Sequence, residues 1–299
     1  MAHNARLKYL FVLNKGSGTN AAGTWEEAIE KFFAGKAGHY ELYHLPEKIE
    51  VAAIKKQLLA KLPEKIIGVG GDGTISLLAN MLAGSNIPLG ILPAGSANGM
   101  AKELNIPTDA AKALDIICTG NVTPTDLIQI NDRFCMHLSD LGLNAQLIKH
   151  FDEGKLRGKW GYARVVLKTL LAKQEMQVRI NSESEVVSRT AVMVAFANAK
   201  TYGTGAVINP EGKIDDGLFE IIIVKKLKFT ALLRMFFKPG LFNPKHIEII
   251  SCREAQVRTH RSMHFQIDGE YIGKEKNVKA VIKANALLLL LPEPAEAAL

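Results

Sequence analysis

Cysteine is scarce. Cys118, Cys135 and Cys252 are too scattered, and odd in number, to form a disulfide framework or a cysteine-based zinc site, so buried thiols are expected. The eight histidines are read as carrying no transition-metal centre. The longest apolar run, residues 286–291, falls well short of the about 20 residues that a membrane-spanning helix needs. Residues 1–15 lack the apolar stretch and small-residue cleavage site of a secretory leader, so the cytoplasm is the expected address. No G-x-x-x-x-G-K-[ST] loop is present, and the surroundings of Ser96 fail the G-x-S-x-G spacing of a hydrolase elbow. Internal repeats and low-complexity tracts are also missing.

In 299 residues, 47% hydrophobic content supports one large or two medium cores, and a formal charge of +7 suits an anionic partner. The chain is organised around residues 66–74, an apolar strand that runs into Gly70, Gly71, Asp72, Gly73 and Thr74 and then into a helical pattern over 75–82. Glycines let backbone N–H groups close on phosphate oxygens, and the helix behind them adds its N-terminal dipole. Beside phosphates, the carboxylate of Asp72 makes sense facing a divalent cation or a nucleotide hydroxyl. Gly68, Gly70 and Gly73 also fit a dinucleotide fingerprint. However, no Asp or Glu follows before Glu103 to take the ribose hydroxyl.

Strand and helix patterns alternate through residues 7–13, 24–33, 39–45, 49–62, 66–69, 75–82, 88–92, 100–104 and 109–118, which predicts a parallel sheet with helical crossovers. Ligands gather at the carboxyl ends of such strands. Asn14, Ser17 and Gly18, then His44, the glycine turn, and the Pro93-Ala94-Gly95-Ser96-Ala97-Asn98 loop should therefore converge on one edge.

Beyond residues 120–125 short alternating segments dominate: 126–130, 134–138, 176–180, 191–197, 218–224, 247–252 and 255–258. A basic helical stretch at 156–173 interrupts them. The turn at 209–218 carries Asp215 and Asp216, where Asp216 with backbone carbonyls and waters could hold a hard cation. A second turn presents Asp268 and Glu270. Taken alone, each is ordinary polar turn chemistry. Residues 225–238 interleave Lys225, Lys226 and Lys228 with Phe229, Phe236 and Phe237, a mixture that fits either an anionic bilayer surface or a core-packed helix. No motif for nucleic acid accompanies it.

In order, Asn14-x-x-Ser17-Gly18, Gly70-Gly71-Asp72-Gly73-Thr74, Pro93-x-Gly95-Ser96-x-Asn98, Asp215-Asp216-Gly217-Leu218 and Asp268-Gly269-Glu270 resemble the diacylglycerol kinase catalytic family, in particular its bacterial soluble lipid kinases and sphingosine-kinase-like members. The resemblance implies an N-terminal α/β nucleotide-binding domain with a parallel sheet of the NAD-kinase and phosphofructokinase kind over 1–122. It further implies a C-terminal β-sandwich-like lipid domain over 123–291, with an interdomain cleft for the reaction, and 292–299 remains a tail. The activity implied is transfer of the γ-phosphoryl group of ATP to a diacylglycerol-like or sphingoid-like hydroxyl in phospholipid metabolism, on a protein that meets anionic membranes reversibly at their inner face.

By that resemblance Glu270 is the general base and Asp72 assists it. Asn14, Ser17, Gly18, His44, Gly70, Gly71, Asp72, Gly73, Thr74, Gly95, Ser96 and Asn98 hold ATP. Mg2+ sits on Asp216 with main-chain oxygens of Lys213 and Leu218. Lys15, His44, Ser76-Leu77 and Gly99 depart from the family's usual residues, Gly99 replacing an acid that commonly follows Asn98. The glycine turn is shared with NAD kinases, and Gly99 keeps open a nucleotide-regulated lipid-binding protein with little turnover.

Overall fold

Three apolar segments lie side by side, fully or almost fully buried, in the computed structural model, which describes residues 8–14, 21–35, 39–143, 145–146, 175–202, 206–225 and 246–293. They are β1 (Tyr9–Leu13), β3 (Lys65–Gly70) and β4 (Leu89–Pro93), joined at the β1 edge by the half-buried β2 (Tyr40–His44). The order is β2-β1-β3-β4 and every pairing is parallel. Parallel neighbours need crossovers, supplied here by α1 (Ala21–Phe33), α2 (Val51–Ala60) and α3 (Asp72–Leu82).

After β4 come the short α4 (Gly99–Glu103) and α5 (Ala110–Thr119), the latter capped by Asp109, whose carboxylate accepts from Lys112 N at 2.9 Å. Helix α1 packs with α5 and α2 with α3. An aromatic cluster of Tyr9, Phe11, Phe33 and Tyr40 closes the β1 side of the sheet against α1.

The chain folds as two compact units, one of Met1–Thr125 with Asn285–Leu299 and a second of Asp126–Ala284. Residues 285–291, expected in the second domain, thus group with the first. There Leu289 pairs in parallel with Leu89, and Gly84 N donates to Ala286 O at 2.7 Å.

The second unit is mostly β in its described residues, with helical positions at Leu143, Ala145, Gln146 and His246. Its strands are β5 (Asn121–Ile130), which begins in the first unit, β6 (Arg133–Cys135), β7 (Leu138–Gly142), β8 (Met176–Ser182), β9 (Val186–Ala191), β10 (Met193–Ala197), β11 (Thr201–Tyr202), β12 (Ala206–Val207), β13 (Phe219–Val224), β14 (Ile247–Cys252), β15 (Glu254–Ile267) and β16 (Glu270–Leu291), which runs on into the first unit. The antiparallel path β14-β13-β10-β7-β15-β16 is extended by β8 and β9 branching from β15. Strand β13 reads as a continuous apolar run because both of its faces are covered: Ile221 and Ile223 enter one cluster with Phe196, Phe219 and Phe265, while Ile222 and Val224 enter another with Ile208. Along β8, burial alternates residue by residue.

Two strands exceed what periodicity predicts. Residues 186–190 form most of β9, and the segment expected to end at Arg258 continues to Ile267. It turns at Asp268 (φ 49°) and Gly269 (φ 86°) and returns as the 22-residue β16. Positive φ at both central residues is the two-residue hairpin geometry that Asp-Gly favours. The helix expected at 156–173 lies outside the described residues.

Candidate functional site

The carboxyl ends of β1, β2, β3 and β4 share one edge of the first unit, and three loops are tied together there. Asn14, just past β1, donates from Nδ2 to Thr74 Oγ1 at 3.0 Å. Thr74 is buried, and a Cβ on Gly70 would lie 2.4 Å from that same Oγ1, so only glycine leaves Thr74 its place. The turn is tighter than the sequence suggests. Gly71 is the N-cap of α3, and Asp72, Gly73 and Thr74 already form its first helical turn, so the helix begins three residues before the expected Ile75.

Ala94 N donates to Gly70 O at 2.9 Å, and a Cβ on Gly95 would stand 2.4 Å from the Cα of Gly71. The second and third loops therefore touch backbone to backbone. Asn98, in the left-handed region at φ 49°, accepts from Gly95 N at 2.9 Å and donates to Gly95 O at 2.8 Å, closing the third loop on itself. Asp72 accepts from Gly99 N and from Met100 N, each at 3.0 Å. These two bonds fix the start of α4. Ser96 is exposed in the same loop, and His44 ends β2 with Nε2 3.5 Å from a Glu26 carboxylate oxygen. Lys15, Ser17 and Gly18 lie outside the described residues.

Gly95→Ala is expected to lower stability by about 1–3 kcal/mol, since the intruding methyl meets backbone that cannot rotate away. Gly73→Ala, at a helical position with nothing within 4 Å of the added carbon, should leave stability unchanged or slightly raised. Thermal melts of the two variants check the contrast.

In the second unit the predicted acids separate into different roles. Asp268 is a hub: Oδ2 accepts from Met136 N at 2.9 Å, and Oδ1 accepts from His137 N at 2.9 Å, Leu138 N at 3.2 Å and the Cys135 thiol at 3.2 Å. Burial, then the Asp268 carboxylate beside it, pushes the Cys135 thiol well above its ordinary pKa. Gln266 reinforces the hairpin, accepting from Gly269 N at 2.7 Å and donating to the buried Asp140 at 2.5 Å. Glu270 is the first residue of β16. Its side chain is 76% exposed, and one carboxylate oxygen lies 3.7 Å from Nη1 of Arg133. The two carboxylates, two residues apart, thus divide the work: one fixes the turn and the other faces solvent.

The turn carrying Lys213, Asp216 and Leu218 is pinned by a residue that sequence reasoning passed over. Asp126 is buried; its N–H donates to Ile214 O at 2.7 Å and its Oδ2 accepts from Gly217 N at 2.7 Å. Asn198 in turn donates to Asp126 O and Met136 O. A lone aspartate opening an apolar strand was the available signal. Asp216 is exposed, and its Oδ1 accepts from Leu218 N at 3.0 Å.

Burial raises the pKa of Glu220 nearby; hydrogen bonds from Asn209 and Ser251 oppose that rise, while the negative charges of Asp216 and Glu211 add to it. No group of three or more His, Cys, Asp or Glu side chains that could hold a metal ion comes together among the described residues. His260 and His264 do have the H-x-x-x-H spacing, but on an extended strand that separates them, and His264 Nδ1 lies 2.8 Å from the Tyr271 hydroxyl. Of the basic-aromatic stretch at 225–238 only Lys225 is described, and its Nζ is 2.5 Å from Glu248.

Residues 8–130 match the model of the diacylglycerol kinase catalytic domain, and residues 139–291 match that of the YegS C-terminal NAD kinase beta sandwich-like domain. A diacylglycerol kinase of Staphylococcus saprophyticus subsp. saprophyticus is 28% identical over 248 residues, covering 80% of this chain and 81% of that protein. One of Staphylococcus epidermidis is 27% identical over 80% of this chain and 78% of its own length. A diacylglycerol kinase structure from Bacillus anthracis str. Sterne superposes with a TM-score of 0.75 at 20% identity, over 96% of this chain and 97% of that one. A further structure from that strain gives 0.79 at 24% identity over 96% of both, and these two likenesses concern the fold alone.

The two domains in this order define a two-domain lipid kinase. The chain belongs to the diacylglycerol kinase catalytic family.

Proposed function

We propose that this lipid kinase takes the γ-phosphoryl group from ATP and places it on the hydroxyl of a diacylglycerol-like or sphingoid-like lipid. The observation that carries the reading is the fastening of three small-residue loops on one sheet edge, through Asn14–Thr74, Gly71–Gly95 and Asp72 with Gly99 and Met100. Phosphoryl transfer asks mainly for phosphates held still and for charge to be stabilised where it develops. In this reading the backbone of Gly70, Gly71, Gly73 and Gly95, with the side chains of Asn14, Ser17, Thr74, Ser96 and Asn98 and with Gly18 and His44, holds the nucleotide. Asp72 keeps the second and third loops in register. Glu270 accepts the proton of the attacking hydroxyl.

A magnesium ion bound at the 213–218 turn would screen its crowded carboxylates and hold that turn rigid. Asp216 would ligate it alongside the main-chain oxygens of Lys213 and Leu218. Asp216→Ala should then lower stability as well as activity, and magnesium should raise the melting temperature of the parent more than that of the variant. Equal shifts of both melting curves would move the ion elsewhere.

In this reading contact with an anionic membrane supplies the lipid; no helix among the described residues is long and apolar enough to cross one. Transfer of label from γ-labelled ATP to dispersed diacylglycerol and, separately, to a sphingoid base tests the acceptor. Label in one of the two names the class, and label in neither sinks the proposal.

A further inference from the structure

The outward face of β8, β9 and β15 carries a second feature. Val178, Ile180, Ala255 and Val257 point into the core, which leaves Gln177, Arg179, Ser188, Arg258 and His260 on the solvent side of the same strands. The register places Arg179 directly opposite both Arg258 on β15 and Ser188 on β9.

Like charges opposite each other across a ladder oppose pairing and need a reason. Elsewhere in this unit four cations are matched: Arg189 and Lys225 share Glu248, whose carboxyl they help hold down at about 2, Lys279 lies beside Glu254, and Arg133 faces Glu270. Arg179 and Arg258 take part in no ion pair among the described residues. Residues 177–181, 186–190 and 256–260 contain no carboxylate to answer them. Between these side chains lies an open groove of about 310 Å³, lined by both arginines, His260, Ser188 and Gln177. Arg258 Nη2 donates to Gln256 Oε1 at 3.0 Å and Gln177 Nε2 to Thr190 Oγ1 at 2.9 Å; the guanidinium N–H groups beyond that bond, with the Ser188 hydroxyl beside them, match the oxygens of a phosphate.

We propose that this groove seats the phosphate of an acidic phospholipid headgroup and docks the second unit on an anionic bilayer. The proposal rests on the lipid-kinase reading for its choice of occupant: an enzyme that draws its acceptor from a bilayer gains from a cationic face, and the groove is open, not enclosed.

Co-sedimentation with phosphatidylcholine vesicles, with and without phosphatidylglycerol, tests it in the absence of ATP. The parent should bind only the anionic vesicles and release them as salt rises. Arg179→Gln with Arg258→Gln should bind about 10- to 30-fold more weakly, following the worth of two cations near a charged leaflet. Ser188→Asp, which keeps both arginines but places a negative charge in the groove, should weaken binding in the same direction. All variants should melt like the parent and phosphorylate a detergent-dispersed acceptor at the parent's rate.

Equal vesicle binding by the parent and both variants overturns the assignment. So does saturable binding of inorganic phosphate at this groove without any vesicle binding, which would make the ligand a soluble phosphate. Glu270→Gln should bind vesicles as the parent does. Vesicle binding by a parent protein that transfers no phosphoryl group would therefore count against the kinase reaction and not against the docking face.

Discussion

Glu270→Gln is expected to lower kcat by about 10² to 10⁴-fold, the usual worth of a positioned general base, while leaving nucleotide binding, lipid binding and the melting temperature close to the parent's. The amide keeps the size and shape of the carboxylate and loses only its capacity to take a proton. The site tolerates this exchange because the side chain is 76% exposed and its partner is Arg133 at 3.7 Å, so no buried group is left unpaired. Rapid-quench turnover together with a melt checks it. An unchanged kcat removes Glu270 from the chemistry, and a large fall in melting temperature would show that the residue serves the fold instead.

Two residues earlier the opposite signature is expected. Asp268→Asn should cost about 2–4 kcal/mol of stability, because hydrogen bonds to a charged acceptor contribute about 1.5–3 kcal/mol each and the new amide NH2 must face at least one backbone N–H. Met136 N, His137 N and Leu138 N converge on the two oxygens from one side, and the Cys135 thiol shares Oδ1. The loss should appear as a fall of roughly 5–15 °C in melting temperature. Below that melting temperature, the turnover that remains should exceed that of Glu270→Gln. A variant that melts like the parent would contradict the role of Asp268 as the anchor of residues 136–138.

The contrast between these neighbours shows what the sequence could carry. Small-residue clusters after apolar strands mark the three loops, and parallel topology alone is enough to place them on one edge. The Asp-Gly turn before Glu270 is equally local, and it appears as the hairpin that its dihedral angles require.

What a linear pattern does not encode is which distant backbone a carboxylate will satisfy. Asp72 reaches 27 and 28 residues along the chain to Gly99 and Met100, Asp126 reaches 91 to Gly217, and Asp268 reaches 130 to 132 back to Leu138, His137 and Met136. In the fold each of the three holds a loop in place. Strand β16 escapes notice for a related reason. Lys274, Glu275, Lys276, Asn277 and Lys279 surround the buried Val278, and the strand's pairing with β15 is broken by register shifts, so the period-two signal is too short to read.

The most direct measurement is incubation of the purified chain with γ-labelled ATP, magnesium and a total lipid extract, followed by separation of the lipid phase. Label should enter an organic-soluble phospholipid with the parent protein and fall by about 10² to 10⁴-fold with Glu270→Gln. Nucleotide binding without label in any lipid, or label appearing only in NADP when NAD is added to the same mixture, would contradict the account.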